Sequence, residues 1–344
     1  MNSRKGMNLT LKNVLITIAL PAVIWLLMEI IDRSVAGVGV IDKMDDLKNL
    51  SRSLITAFCF ALALNCNLPL GRMDLSAGAQ MFMGCIFGGN LALSLNLGGI
   101  GVLVFSIIFG AISGLIVGVI FIKLRILPMV LGIGMTLVYE CISFAAYDQQ
   151  GLMLFGKKGI GVLSNVVFIT ITLVVIIAAV TYLFQYSKFG YERRAIQGNQ
   201  KISSDSGINI YINCVICYIL AGALVAVAGV FDTAFKGSMV PALGMTSNSS
   251  VFVNMFPMFI GIWLSKYSNP VVGIFTSCLS VRILSTGLSK INMDGNIQTC
   301  VIFTIYLLFM IYRMNENKLQ YAKNKRARKA LAIKTRRELA VQNA

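Results

Sequence analysis

The side chains best placed to do chemistry in this sequence lie in one short stretch, Pro69-Leu70-Gly71-Arg72-Met73-Asp74-Leu75-Ser76-Ala77-Gly78. A guanidinium, a carboxylate and a hydroxyl at alternate positions can pair with one another, cap a helix or meet a polar solute. Pro69, Gly71 and Gly78 interrupt any helix running through, and the stretch separates two apolar runs. Two readings stand side by side. In one, the break lies at membrane depth and lines a cavity, where freed backbone groups and a charge are tolerated because they serve function. In the other it is a short interfacial loop, with Asp74 and Ser76 capping the next helix and Arg72 facing headgroups.

A second polar stretch runs from Ser187 to Asn209, SKFGYERRAIQGNQKISSDSGIN, with Gly190, Gly198 and Gly207 spaced among charged residues. It could dock a partner, or it could be an ordinary solvated connector. Two further acids sit in apolar surroundings. Glu140 lies mid-run, where a charge is hard to dismiss, whereas Asp232 is near a run's end, where solvent explains it.

Other chemistries lack their residues. With no His in the chain, imidazole acid–base catalysis and proton relays are excluded. No phosphate-binding G-x-x-x-x-G-K-[ST] loop, H-E-x-x-H helix or nucleophile elbow is present, so no catalytic residue, metal site or cofactor is expected. The eight cysteines all fall in apolar runs and read as small packing groups, including the pair Cys214 and Cys217.

The elements that must position these groups follow from composition. Of 344 residues, 57% are hydrophobic and only 13% charged, about half of what a water-facing surface requires. Lipid must therefore be the solvent for much of the surface. Apolar runs at 13–31, 53–70, 75–96, 100–122, 126–147, 163–186, 211–234, 251–266, 270–289 and 296–313 predict an all-α polytopic transmembrane bundle of about ten spans. Three parts are expected: an N-terminal segment 1–12, a transmembrane domain 13–313 containing the 187–209 loop, and a basic tail 314–344. The first run is too long for a cleaved signal and reads as a retained span.

Charge sets the expected orientation. The net +16 is no nucleic-acid signature, because ten of the thirty Lys and Arg crowd between Arg313 and Arg337 and most others lie in short loops. That is the positive-inside pattern, with a tail drawn to anionic membrane lipid. It puts both termini in the cytoplasm, along with Lys123, Arg125, Arg193 and Arg194. The 32–52 loop, with four basic residues against four aspartates, falls outside, and Lys157-Lys158 is a misfit. Gly110, Gly114 and Gly118 recur at four-residue intervals, the small-residue pattern of close helix contact.

The two polar stretches resemble a known family. Leu70–Gly78, LGRMDLSAG, is similar to the G-G-x-D-L-S-x-G segment of bacterial ABC-transporter permeases of the ribose, xylose and galactose type. Gly190-Tyr191 through Ala195-Ile196-Gln197-Gly198-Asn199 to Ser206-Gly207-Ile208-Asn209 resembles that family's coupling segment, and Ala221-Gly222-Ala223-Leu224 with Ala228-Gly229 continues the likeness. The resemblance runs from about residue 50 to 312. It implies a dimeric permease core, homo- or heterodimeric, with two ATPase subunits on the cytoplasmic face and an extracytoplasmic solute-binding protein delivering cargo. It implies that Gly190, Arg194, Ala195, Gly198, Asn199, Ser206 and Gly207 belong to the segment meeting the ATPase. It implies that Gly71, Asp74, Ser76 and Gly78 shape the translocation path, to which Arg72 and Glu140 are added as charges among apolar runs.

The sequence also departs from the family pattern. Arg72 stands where a second Gly is usual, Glu140 about where an Arg is common, Asn248, Ser249 and Ser250 where acids are usual, and Phe259–Asn269 replaces a Gly-rich stretch. A sugar or similar small polar solute is the expected cargo. Nucleosides or branched-chain amino acids, an ATP-independent carrier, and a membrane enzyme or scaffold remain the alternatives.

Overall fold

Each apolar run becomes helical in the computed structural model, which describes residues 2–342 of the chain. Met1 and Asn343–Ala344, the extremities of the two expected terminal segments, lie outside the described residues. The helices are α1 (Asn2–Val35), α2 (Met44–Asn67), α3 (Ala77–Met83), α4 (Gly89–Ser94), α5 (Gly98–Leu124), α6 (Pro128–Ala145) and α7 (Val166–Gln185). They continue with α8 (Lys188–Gly198), α9 (Gln200–Asp205), α10 (Ile210–Lys236), α11 (Asn248–Leu264), α12 (Pro270–Lys290) and α13 (Gly295–Gln342). Two short strands, β1 (Leu152–Met153) and β2 (Ser238–Met239), pair antiparallel. Among the described residues, eight helices are long and apolar enough to cross a membrane, and α11 is a shorter apolar helix. This is an all-α polytopic bundle.

The chain divides into two units, Met1–Ile291 and Asn292–Ala344. In the second, α13 is a single helix whose Gly295–Glu316 part is apolar enough to span, and the helix continues through the basic region to Gln342.

In the first unit, α2 and α10 are the central helices. Phe58 to Leu62 of α2, one and a third turns, are all at most 1% exposed, so every face of α2 is covered there. Along α10, small residues admit the neighbouring backbone. A Cβ at Gly110 of α5 would lie 2.5 Å from the Ala226 Cβ and from the Gly222 carbonyl oxygen, and one at Gly114 would strike the Tyr218 carbonyl. The four-residue glycine repeat is thus the seam on which α5 and α10 meet.

The run expected at 75–96 is not one helix. A π turn at Gly84–Gly88 separates α3 from α4. Gly84 lies against Ala226 and Ser106, and Gly88 against the Phe105 backbone, where a Cβ would come within 2.5 Å of the carbonyl. The 187–209 loop is likewise ordered as α8 and α9. Ser187, Asn199 and Asn209 cap α8, α9 and α10, accepting from Gly190 N, Ile202 N and Tyr211 N.

Candidate functional site

The break after α2 has a defined geometry. Leu68–Leu70 make a single 3-10 turn, and Gly71 takes φ +76°, a left-handed conformation that a side chain resists. The chain then folds back into α3. Asp74 Oδ1 accepts from Ser76 N at 2.9 Å and from Ser76 Oγ at 2.6 Å, while Oδ2 accepts from Gln80 Nε2 at 2.9 Å. The carboxylate therefore ties the turn to the first turn of α3. On the other side, Thr136 of α6 donates to Gly132 O at 2.8 Å and lies 3.2 Å from Leu75 O, holding the break against α6.

Around this turn several buried polar atoms have no protein partner: Arg72 Nη1, both amide atoms of Asn67, and Gln80 Oε1. Orphaned groups are rare in a packed interior and cluster where a structure meets something other than itself. Cavities lie beside Arg72 and Asn67, while Gln80 Oε1 faces Gly222. A space of about 690 Å³ lies between the break, the α5–α6 junction and the α9–α10 junction, lined among others by Gly71, Arg72, Arg125, Gln200, Ser204 and Asn209. Arg72 also lines a narrow crevice of about 10 Å³ with Asn67, Asp74, Ala77, Val251 and Met255. One turn further along α3 and α11, Met81 and Asn254 line a third cavity of about 320 Å³, with Arg52, Asp232, Lys236 and Arg282. The first two share Arg72 and the third follows one turn along α3 and α11, so a line of cavities runs past the break and is narrowest there.

The α8–α9 segment sits against one end of this line and has two unlike sides. Gly190, Arg193 and Ile196, at successive three-residue intervals, are buried with Ser203. Gly190 must be glycine because a Cβ would strike the Leu183 and Phe184 carbonyls. Arg193 Nη2 donates to Asn65 O, its Nε lies 3.4 Å from Cys66 O, and its guanidinium stacks 4.6 Å from the Phe184 ring centroid. Gln200 Nε2 reaches Leu70 O at 3.3 Å, which joins the segment directly to the break. The opposite side presents Arg194, Ala195, Gly198, Asn199 and Ser206, all exposed, whereas Gly207, also exposed, lines the 690 Å³ cavity with Arg72.

This arrangement, a broken helix pinching a polar line and a two-sided helical pair at one end, is that of a membrane transport subunit. The family described as "Branched-chain amino acid transport system / permease component" matches residues 47–312, over three-quarters of the chain. The chain belongs to that family. It is a multi-pass protein of the cell membrane. The permease is similar to the galactose/methyl galactoside import permease of Escherichia coli (strain K12), with 24% identity over 227 residues, 63% of this chain and 66% of that protein. It is similar to the ribose import permease of the same strain, with 25% identity over 277 residues, 78% of this chain and 85% of that one. The ribose import permease of Bacillus subtilis (strain 168) is 27% identical over 180 residues, 52% of this chain and 54% of that protein. The permease spans just under two-thirds of the length of the galactose relatives it matches. At these identities it is a divergent relative of sugar permeases. No solved structure matches it.

The residues singled out in the sequence separate into two groups in the permease. Gly71, Arg72 and Asp74 line the cavities, whereas Ser76, Gly78 and Glu140 stand behind them. Gly78 packs on the N-terminus of α11, where a Cβ would strike the Ser247 carbonyl. Glu140, fully buried on α6, accepts from Met245 N at 2.7 Å, Ser247 N at 2.9 Å and Ser247 Oγ at 2.6 Å. It fixes the turn that starts α11 and so places the cavity-lining face of that helix. Glu140→Leu strands these donors and should cost about 3–5 kcal/mol. The check is a lower melting temperature and less monodisperse protein in detergent, with Glu140→Gln intermediate.

Sequence reasoning did not single out Gln80, Arg193, Arg52, Asn254 or Arg282. For Arg282 a signal existed, since it is a lone charge inside the 270–289 apolar run. Six of the eight cysteines are buried and Cys141 and Cys300 are exposed. Among the described residues no group of three or more His, Cys, Asp or Glu is placed to hold a metal ion.

Proposed function

We propose that this permease is the transmembrane subunit of an ABC importer, carrying a sugar or similar small polar solute and driven by ATPase subunits on separate chains. The α8–α9 segment carries this reading. Its inner side is fastened to the end of α2 and to the break through Arg193 and Gln200. Its outer side offers small residues, Ala195 and Gly198, on which another protein can close. A segment gripped on both sides can transmit ATP-driven closure of a partner to the pinch at Asp74.

In this reading both termini and α8–α9 are cytoplasmic, consistent with the loop charges. The cavity containing Arg52 and Arg282 opens on the opposite face, where a solute-binding protein would dock. A second permease copy or a paralogue completes the core. Residues 1–12 and 314–344 flank the transmembrane domain, and the basic tail lies at anionic lipid. The galactose and ribose relatives support a small polar solute. The family description keeps branched-chain amino acids as the second reading.

Affinity purification of the tagged chain from its native membrane in mild detergent tests the proposal. A stoichiometric P-loop ATPase is the expected companion. Should the chain emerge alone under conditions that hold other ABC complexes together, a stand-alone carrier becomes the better reading.

A further inference from the structure

We infer that the solute carried by this permease is an anion, a carboxylate or phosphate group on a skeleton of monosaccharide size. This deepens the transport reading above and rests on it. The 320 Å³ cavity is at the small end of ligand sites and suits such a molecule. Its charged lining is Arg52, Lys236, Arg282 and Asp232. Asp232 is already taken, with its Oδ2 2.7 Å from Lys236 Nζ one helical turn away. That leaves two guanidiniums against the one remaining oxygen of Asp232.

Both guanidiniums retain a donor that no group among the described residues meets. Arg52 spends Nη2 on Ser164 O at 2.8 Å, yet its Nε is buried and unpartnered, as is the Nε of Arg282. Guanidinium forks match carboxylate and phosphate oxygens and bind them with charge-assisted hydrogen bonds. Asn254 Oδ1, also buried without a partner, supplies an acceptor for a hydroxyl.

The same asymmetry continues inward. At the pinch, Asp74 has both oxygens occupied by Ser76 and Gln80, while Arg72, 5% exposed, has an open Nη1. The large cavity beyond is lined by Arg72 and Arg125 and by no carboxylate at all. Along the three cavities, five cations face two carboxylates, of which Asp74 has both oxygens bonded within the protein and Asp232 is paired through one oxygen with Lys236. A neutral sugar would leave this excess of cations uncompensated, and an unpaired charge away from water is unfavourable. An anion compensates each in turn, as in anion-conducting pores lined by Arg and Lys.

The test uses the full complex in nanodiscs, with equilibrium binding of radiolabelled D-ribose, D-ribose 5-phosphate and D-gluconate. At least one anion should bind about tenfold or more tightly than ribose, weaken with added salt, and lose that preference in Arg282→Gln and Arg52→Gln. Arg282→Lys should retain part of it, which a merely structural role would not produce. Ribose binding as tightly as both anions, or anion binding indifferent to both Gln variants, overturns the charge assignment. Vanadate-sensitive ATP hydrolysis in the same preparation reports separately on the importer reading, whose failure would appear there.

Discussion

Gly198→Trp leaves the permease folded in the membrane and removes ATP-driven uptake. Gly198 is the last residue of α8, it is exposed, and a Cβ built on it meets no atom within 4 Å. Its φ is not positive, so a side chain introduces no backbone strain. Nothing in this chain therefore requires a glycine there, and folding stability should move by no more than about 0.5 kcal/mol. If α8–α9 sits in a cleft of an ATPase, an indole at this position holds the two surfaces apart, and uptake should fall by about tenfold or more. The measurement is uptake per folded molecule, with ATPase co-purification alongside. Gly207→Ala is the contrasting variant. Gly207 has φ +82°, so alanine there costs about 1–2 kcal/mol through its own backbone, whatever docks on it. Normal uptake in Gly198→Trp would remove the coupling role from this face.

The same segment shows which features of the fold are legible in a sequence. The ten apolar runs mark helices because a membrane imposes length and polarity locally, and Ser187, Asn199 and Asn209 are capping residues at the starts of α8, α9 and α10. Gly110, Gly114 and Gly118 announce a contact, although not that α10 is the partner. The π turn at Gly84–Gly88 is harder to read, because it depends on Ala226 and Phe105 pressing from other helices. Arg193 and Arg194 are adjacent identical residues, and only the phase of α8 against α2 decides which is buried. Glu140 is conspicuous as an acid in an apolar run, but the donors it meets lie 105 and 107 residues away. The cavity line joins α2, α3, α10, α11 and α12, and no spacing along the chain encodes it.

If α8–α9 couples to a partner ATPase as proposed, Arg193→Ala uncouples the transporter: ATP hydrolysis by the partner continues while uptake is lost. Arg193 is 6% exposed and directs its guanidinium at the carbonyls of Asn65 and Cys66, in the last turn of α2. Helix-end carbonyls have no intrahelical donor and carry the negative end of the helix dipole, so a cation there meets both needs. The Phe184 ring under the guanidinium closes the contact from α7. Alanine leaves two carbonyls and a packing gap in place of this anchor, a loss of about 2–4 kcal/mol. On the proposed coupling, a partner ATPase would still dock because the exposed face of α8 is untouched, but its motion would no longer reach the end of α2 and the break beyond. Lysine should not restore coupling, since one ammonium cannot span two carbonyls and lie flat on a ring. Arg194→Ala, at an exposed site where the guanidinium meets Gly190 O and Gln185 O and lies 4.7 Å from the Tyr191 ring centroid, should cost less than about 1 kcal/mol and keep most uptake. The ratio of solute moved to ATP hydrolysed in proteoliposomes separates the two outcomes. A wild-type ratio in Arg193→Ala would mean that force enters the membrane domain elsewhere than through α8.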